Sequence, residues 1–596
     1  MSNFDISGAV FNDQLRMLET TDPAHADMFN ALFGQLIQND VALRDAASIF
    51  AKNKNEQALF LLNLRRTGKR YGVHFNAYNV SPASEGTRLY DAVGKVAIPS
   101  TDTVRNRNDF EGESVFYGLE VNGSVGTDGE FVVQYIKGID NEFSREDYDV
   151  YILFLTQWIE LSIDANGENL VISDEKFPGS FPEGAAIRPD GTVRPFVAMA
   201  KYMAADNDDG VASSITGRNA EHNQGHNAAL TRFHEKGTQY CGTTAQDKSH
   251  MDNLFLVAFA TRNSQSVMAG CTSYYYQYAA TIQESDVERI IISKAQAATL
   301  VVGSVVSIGN ATALTSGTPN IDRGQSGMHA KANRVKIVSI EDYDGENSAV
   351  NVDNSGQKFS TASTIVSDVE CPTYISTMPW MTGACDNVLA SCGSPVSNTN
   401  GKFPYILFGV ELSIGFWELI SNVIMKITNH VMIPYICYDC TKLATSVTSD
   451  YIAVGYSVAD TQQSYKYISK LGYDPDNPSV RHGVEVDATS STGYADGQYT
   501  EKLDQVSDTT RAWFSGGYLV NGTPAGRFYA ALDASLSGGE VKRIEIATIL
   551  ARKSGLMIFD EPEAGIDLWS FARLVETFED IRSNTSGSLV IISHQE

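Results

Sequence analysis

Two short apolar runs near the C-terminus constrain the fold of this chain more than any other feature of its sequence. They read LMIFDE at 556–561 and SLVIIS at 588–593, without the alternation of polar and apolar residues that a half-exposed strand shows. Runs of this kind are typical of strands buried on both faces of a parallel sheet, which needs neighbouring strands and covering helices. The segment 536–596 does not supply them. We therefore expect a partial α/β unit with an incomplete core.

The length and charge of the chain limit what the remainder does. At 596 residues the chain is too long for one core, and roughly 150 residues per domain predicts three to five domains. With 72 acidic and 45 basic residues, the net charge of −27 disfavours nucleic acid and anionic membranes as partners. No apolar run has the ~20 residues of a membrane span, and the N-terminus shows no signal peptide. We expect a protein that is cytoplasmic when synthesised.

The N-terminal segment, residues 1–69, is predicted to be helical. Asp22 can cap a helix with Pro23 at its first position, and Phe29, Phe33 and Ile37 then share one face. That face predicts either self-association through the helix or packing against the rest of the protein, because the repeat is too short to specify a coiled coil.

The remaining segments predict a multidomain α+β protein. Residues 70–287 indicate a β-rich body, with helices expected in VRPFVAMAKYMA (193–204) and MDNLFLVAFATRNSQSVMAGC (251–271). Residues 288–370 predict a small antiparallel β-barrel inserted in the body, and 371–402 predict a linker loop. The block 403–535 is expected to begin with an amphipathic helix, FWELISNVIMKI (416–427).

Cysteine and histidine spacings offer two further candidate sites. The pair Cys437 and Cys440 has metal-binding or redox spacing, although buried free thiols are the favoured interpretation because no second CxxC motif exists. His222 and His226, with His234 nearby, have a spacing that would suit a metal on one helical face. Their Gly- and Asn-rich surroundings favour a polar loop or the start of a helix instead.

Four short motifs follow the seam at residue 536. They are LSGGE (536–540), LMIFDE (556–561), EAGID (563–567) and LVIISH (589–594). In this order and spacing they resemble the C-terminal part of the ATPase domain of ABC proteins, and are most similar to the ATPases of iron–sulfur cluster assembly. The resemblance implies ATP-binding residues (Ser537, Gly538, Gly539 and Asp567), a magnesium ligand (Asp560), a general base (Glu561) and a switch histidine (His594).

The phosphate-binding Walker A loop of that family, GxxxxGK[ST], is absent from the sequence. Each Gly-Lys pair is followed by the wrong residue, in GKR (68–70), GKV (94–96) and GKF (401–403). Since phosphoryl transfer depends on a positioned phosphate, we expect no ATP hydrolysis by this chain alone. ATP and magnesium are expected only where a partner supplies the loop. The alternative hypothesis is an ABC-type ATP-binding and ATP-hydrolysing protein with an atypical N-terminal region.

Residues 20–535 carry a different resemblance. Stretches such as PAHADMFNALFGQLIQND (23–40) and FATRNSQSVMAGCTSYYYQY (259–278) resemble prophage structural proteins of tails or host recognition. The ending TRAWFSGGYLVNGTPAGRFYAALDAS (510–535) is similar to C-type-lectin-like variable domains. The resemblance implies a virion-associated recognition protein, without a cofactor in its body, that binds a host-surface ligand or other virion proteins. Aromatic and small polar residues are typical of adaptable binding faces, so the candidate ligand face is Trp513, Phe514, Tyr518, Asn521 and Arg527, although core or turn positions are the alternative for these residues.

The seam itself predicts a fusion of two genes. The body ending and the ABC signature share the letters Leu536 and Ser537, and the sequence stops at Glu596, directly after the switch-histidine motif. Recombination or an assembly error at such an overlap would produce a chimera. We expect protease sensitivity beyond about residue 535.

Overall fold

The computed structural model describes residues 31, 33–41, 53–78, 84–188, 190–221, 224–311, 326–366, 368–397, 399–536, 556–560 and 588–592. In this part of the chain β-structure predominates and helices are few. The helices are α1 (33–41), α2 (Lys54–Asn63), α3 (His226–His234), α4 (Ala245–Phe259) and α5 (Lys294–Ala297). None of these described helices is long and apolar enough to cross a membrane.

The two N-terminal helices lie within the segment predicted to be helical, whose residues 22–30 and 42–52 fall outside the described ranges. The start of α4 is fixed by a capping box, in which the side chains of Thr244 and Asp247 each accept a hydrogen bond from the other residue's backbone. The helix ends at Ala260, which adopts a left-handed conformation with φ +50°. The helix expected within 251–271 is therefore confirmed up to Phe259.

The strands follow one another along the chain in three groups. Residues 70–213 contain β1 (Arg70–Asn76), β2 (Gly86–Tyr90), β3 (Leu119–Val125), β4 (Phe131–Ile136), β5 (Val150–Leu155), β6 (Trp158–Asp164), β7 (Gly167–Ser173), β8 (Phe181–Pro182), β9 (Phe196–Ala200), β10 (Ala205–Asp206) and β11 (Ala212–Ser213). Residues 277–378 contain β12 (Gln277–Ala279), β13 (Arg289–Ser293), β14 (Val305–Asn310), β15 (Ala332–Asp342), β16 (Asn347–Asp353), β17 (Thr364–Val366), β18 (Val369–Cys371) and β19 (Thr373–Met378).

The third group of strands spans residues 405–531 and is followed by two strands near the C-terminus. The group contains β20 (Tyr405–Leu407), β21 (Val410–Leu412), β22 (Phe416–Thr428), β23 (Val431–Ile436), β24 (Ile452–Ala453), β25 (Lys466–Tyr467), β26 (Lys470–Leu471), β27 (Gly483–Glu485), β28 (Gly497–Tyr499), β29 (Thr509–Tyr518) and β30 (Gly526–Ala531). The last two strands are β31 (Leu556–Asp560) and β32 (Ser588–Ile592).

Four larger sheets form the body. Their strand orders are β2-β1-β7-β6-β8, β4-β3-β5-β9, β12-β19-β14-β15-β16-β13 and β24-β23-β22-β29-β30-β28-β25. Pairing in them is antiparallel except between β28 and β30. A bridge between Ile282 and Ile291 joins the chain after β12 to β13, so the two edges of the six-stranded sheet meet. This sheet draws strands from 277–378, a wider range than 288–370.

Two helices expected from the sequence are strands, and those predictions are wrong. The stretch 416–427 belongs to β22, a central strand paired with β23 and β29. The stretch 193–204 contains β9, whose Val197 and Met199 lie in one core cluster while Phe196 and Ala198 pack on another. Residues 420–425 of β22 are buried without interruption, and both faces of β9 contact apolar clusters, so neither stretch shows the polar–apolar alternation that would have distinguished it from a helix.

The largest core cluster joins distant parts of the sequence. It contains Phe75 and Phe154 from the first two sheets, Phe255 from α4, Leu407 from β20 and Phe528 from β30. The predicted segments 70–287 and 403–535 thus contribute to one core. Helix α4, with most of its residues buried, is the element around which these segments pack.

Candidate functional site

A large cavity lies where the elements around α4 converge. Its volume is about 1720 Å³, above the roughly 300–1,000 Å³ that is usual for small-molecule pockets. Its wall includes residues of α2, β4, β9, β22 and β29, together with the loop between α3 and α4. A space of this size suits an extended ligand better than a single small metabolite.

An aromatic cluster, formed by Trp417, Phe514 and Tyr518, lines this cavity. The ring centroid of Trp417 is 6.0 Å from that of Phe514 and 4.6 Å from that of Tyr518. Trp417 is 42% exposed although it belongs to a central strand. The register of β22 against β29 shifts between Phe416 and Glu418, and a bulge of this kind redirects the side chain at its centre.

The backbone at Trp417 is strained. Its φ is +23°, in the left-handed region that bulky side chains rarely adopt. A conformation of this kind costs about 1–3 kcal/mol and persists only where surrounding structure imposes it. The aromatic cluster therefore holds an exposed indole on a constrained piece of backbone.

A buried ion network, formed by Lys248, Asp252 and Arg527, lies beside the cavity. The Asp252 carboxylate accepts hydrogen bonds from Lys248 Nζ at 2.9 Å and from Arg527 Nε at 2.5 Å. Lys248 Nζ also donates to the Arg527 carbonyl at 2.8 Å, and Arg527 Nη2 donates to the Lys248 carbonyl at 3.0 Å. These hydrogen bonds connect α4 to β30, although Lys248 and Arg527 are 279 positions apart in the sequence.

Burial sets the protonation of this network. It lowers the pKa of Lys248 to about 8, although the Asp252 charge opposes that shift. Burial alone would raise the pKa of Asp252, but the charges of Lys248 and Arg527 outweigh it and the net shift is downward. The network holds two cations and one anion in the interior, which leaves Glu418 on β22, 4.0 Å from Arg527, as a second counter-charge.

The residues of the predicted ligand face fall into two groups. Phe514, Tyr518 and Arg527 line the cavity, but Arg527 is only 2% exposed and acts within the ion network. Trp513 and Asn521 are buried outside the cavity lining. Asn521 Oδ1 accepts a hydrogen bond from the Tyr518 backbone N–H at 2.8 Å, a turn contact.

Sequence reasoning missed the other contributors to this site. Trp417 lies in a stretch whose pattern predicts a helix, and no motif singles out Lys248 and Asp252. The Lys248–Asp252 spacing of four residues on α4 is a usable signal for a helical ion pair. Nothing local indicates that Arg527, hundreds of residues later, joins them.

The predicted ATPase residues lie mostly outside the described ranges. These are Ser537, Gly538, Gly539, Glu561, Asp567 and His594. Asp560 is described as the last residue of β31, where it is the pairing partner of Ile592. Strands β31 and β32 pair in parallel, and among the described strands they pair only with each other.

The histidine and cysteine spacings do not assemble a metal centre in the described residues. His226 and His234 stand at the first and last positions of α3, about 12 Å apart at 1.5 Å per residue, and His222 lies outside the described ranges. His226 is buried, with Nε2 3.0 Å from the Ser421 carbonyl oxygen, and burial lowers its pKa.

Comparison with known proteins finds relatives for one short segment of the chain. No family model matches the sequence. Over 78 residues the chain is 41% identical to an uncharacterized ABC transporter ATP-binding protein of Methanocaldococcus jannaschii, covering 13% of this chain and 31% of that protein. Over 61 residues it is 44% identical to the zinc import ATP-binding protein ZnuC of Brucella melitensis biotype 1, covering 10% and 20%. The chain thus spans less than a third of these relatives, and a short segment of it is similar to ABC transporter ATP-binding proteins.

Proposed function

We propose that residues 53–536 form a ligand-recognition protein, of the kind that a phage particle uses against a host surface, and that the ABC-like segment does not hydrolyse ATP by itself. The observation that carries the proposal is Trp417, an exposed indole on strained backbone beside a cavity of about 1720 Å³. Strain of this kind is retained at binding sites because the geometry serves the ligand.

The cavity wall suits a carbohydrate chain. An exposed indole with two neighbouring rings offers flat apolar faces, as aromatic anchors do in binding sites. The same wall carries hydrogen-bonding groups, including Glu418, whose carboxylate accepts from Thr243 Oγ1 at 2.8 Å. Ring faces with polar groups beside them match the two surfaces of a pyranose, and the cavity volume accommodates several sugar units.

A panel of immobilised bacterial surface glycans tests this function. We expect the full chain to bind a subset of the panel and Trp417→Gly to bind at least about 5-fold more weakly, because an anchoring aromatic contributes roughly 1–3 kcal/mol. Glycine accepts the positive φ, so the relieved backbone strain of about 1–3 kcal/mol should offset the packing lost with the indole, and the melting temperature should change little.

Tyr343→Ala is the matched control, because Tyr343 is 41% exposed in the turn between β15 and β16, away from the cavity lining. Its glycan binding should equal that of the wild type. Absence of glycan binding by the wild type, or binding that Trp417→Gly leaves unchanged, would refute the proposed recognition site.

A second candidate function is ATP binding by the C-terminal segment. It is favoured by the parallel pairing of β31 with β32, the arrangement that the ABC resemblance implies, and by the ATP-binding relatives. Asp560, at the end of β31, is the residue that would hold Mg²⁺, for which a carboxylate is a suitable ligand. The iron–sulfur assembly subgroup stays a prediction.

Binding of labelled ATP distinguishes the two candidates. We expect no binding at micromolar ATP and no phosphate release, because the sequence lacks the Walker A loop. Micromolar binding that is lost in Asp560→Ala, or hydrolysis that is lost in Glu561→Gln, would establish the ABC-type function instead.

A further inference from the structure

We propose that Cys241 and Cys440 form a reversible disulfide that links the loop between α3 and α4 to the chain segment after β23. Both are free cysteines, and their Sγ atoms are 2.7 Å apart although the residues are separated by 199 positions. A disulfide requires about 2.05 Å between sulfurs, whereas non-bonded atoms in a packed interior stay at about 3.5–4.0 Å. A movement of less than 1 Å would bring the two thiols to bonding distance.

In the folded structure Cys440 contacts Cys241, a partner that the CxxC spacing does not predict. Cys437 precedes Cys440 in the CxxC spacing, yet its thiol is buried and lies 3.4 Å from the Asp439 carbonyl oxygen. Cys241, which has no cysteine near it in sequence, makes the described thiol–thiol contact with Cys440. The redox pair is therefore assigned across two distant segments rather than within the motif.

Both sulfurs belong to residues that a small oxidant can reach. Cys241 is buried and Cys440 is half-buried, and both line the large cavity. The contact with Cys440 and burial raise the pKa of the Cys241 thiol well above its usual value. Cys440, the more exposed of the two, is assigned as the attacking thiol and Cys241 as the resolving one.

Hydrogen peroxide is the oxidant in the proposed reaction. The Cys440 thiolate attacks one peroxide oxygen, the O–O bond breaks, and hydroxide leaves to give a sulfenic acid. The Cys241 sulfur then attacks the Cys440 sulfur, and the sulfenic oxygen departs as water. In sum, two thiols and one peroxide give one disulfide and two waters.

The bond would stiffen one wall of the cavity. Two residues after Cys241, Thr243 is already attached to β22, since its carbonyl accepts from the Ser421 backbone N–H at 2.9 Å. The disulfide adds a covalent anchor two residues before this hydrogen bond. We expect the oxidised chain to melt several degrees above the reduced chain, because a cross-link between distant positions constrains the unfolded state.

Mass spectrometry of the full chain tests the assignment. The protein is treated with hydrogen peroxide, its remaining thiols are blocked with N-ethylmaleimide, and it is digested without reduction. We expect one linked peptide pair that contains Cys241 and Cys440, lighter than the two free peptides by two hydrogen atoms. Dithiothreitol should abolish the link and return the melting temperature to the reduced value.

Two variants complete the test. Cys437→Ser should retain the cross-link, whereas Cys440→Ser should lose both the cross-link and the rise in melting temperature on oxidation. A Cys437–Cys440 link, or no cross-link in oxidised wild type, would overturn the proposal. Because the wild-type peptide map alone identifies the partners, the result stands even where Cys440→Ser does not fold.

Discussion

Acid should remove a stabilising contribution that His482, a buried histidine beside Trp513, makes at neutral pH. The imidazole is 1% exposed, and its centroid lies 4.3 Å from that of the indole. Nδ1 is 3.3 Å from the hydroxyl oxygen of Tyr456, and among the described residues Nε2 has no hydrogen-bond partner. Burial, with a smaller contribution from the charge of Lys248, lowers the pKa of His482 to about 3.

The sign and size of the effect follow from the two protonation states. Between pH 6.5 and pH 3 the unfolded chain binds a proton at this histidine and the folded chain does not, so stability falls as the pH falls. With an unfolded pKa of about 6.5, the loss between pH 8 and pH 5 is about 2 kcal/mol. Glu411 acts in the opposite direction, because burial raises its pKa from 4.5 to about 7, and its contribution to stability therefore falls as the pH rises between these two values.

A comparison of variants isolates the contribution of His482. His482→Phe removes the titrating ring, while the Tyr456 hydroxyl keeps its bonds to the Val480 carbonyl and the residue 482 backbone N–H. Urea unfolding followed by tryptophan fluorescence should show that the change in unfolding free energy from pH 8 to pH 5 is about 2 kcal/mol less favourable in the wild type than in this variant. The control Gly345→Ala, which adds a Cβ in open space, should follow the wild type.

An equal change in unfolding free energy from pH 8 to pH 5 in the wild type and in His482→Phe would refute the assignment of a neutral, buried imidazole. A larger loss in the variant would have the same consequence. The measurement does not require the absolute stability of the whole chain, because only the difference between two pH values is compared.

Three further predictions concern packing and charge. Asp252→Asn removes the carboxylate that pairs with the two buried cations Lys248 and Arg527, so urea unfolding should show that the free energy of unfolding falls by ~3–5 kcal/mol. The control Asp286→Asn, in an exposed ion pair, should lower it by less than ~1 kcal/mol. Leu536→Ala, at a side chain that is 5% exposed, should lower stability by ~2–4 kcal/mol in thermal melts, and an unchanged melt would show that this side chain is not packed. Gly415→Ala places a Cβ 2.2 Å from a carbonyl oxygen at φ +95° and should prevent or strongly weaken folding, whereas Gly345→Ala, with open space around it, should leave expression and melting unchanged.

Local sequence patterns predict strands correctly where β-branched runs are joined by a recognisable turn. The β-branched runs RIIIS, RVKIVSI and SAVNV form β13, β15 and β16, and the turn DYDGEN joins the latter two. In β22 the register shift between Ile420 and Ile424 breaks the alternation, and apolar residues then recur at helical spacing. Helix and strand are indistinguishable there without knowledge of the neighbouring strands.

The candidate site depends on contacts that no local pattern encodes. The aromatic cluster brings Trp417 to Phe514 and Tyr518 across about a hundred residues, and the ion network brings Arg527 to α4. The predicted ligand face depends on residue type alone. Residue type does not distinguish Trp513, which fills a core cluster, from Trp417, which a bulge turns outward.

The first residue of the ABC-like motif LSGGE, Leu536, is packed in the fold of the preceding residues. After β30, Ser535 forms a bridge with Arg511, and the Leu536 side chain packs in a core cluster with Leu230. The Leu536 carbonyl accepts a hydrogen bond from the Asn227 backbone N–H at 3.0 Å. The first letter of LSGGE is thus a structural residue of the preceding fold.

The fusion of two genes at this seam stays a prediction. Where two genes share the letters Leu536 and Ser537, recombination within the overlap preserves the core position of the body as well as the beginning of the signature motif. Sequencing reads that span codons 525–545 in one molecule test the fusion, since an uninterrupted body gene in those reads would show that the ABC-like segment does not belong to the natural chain.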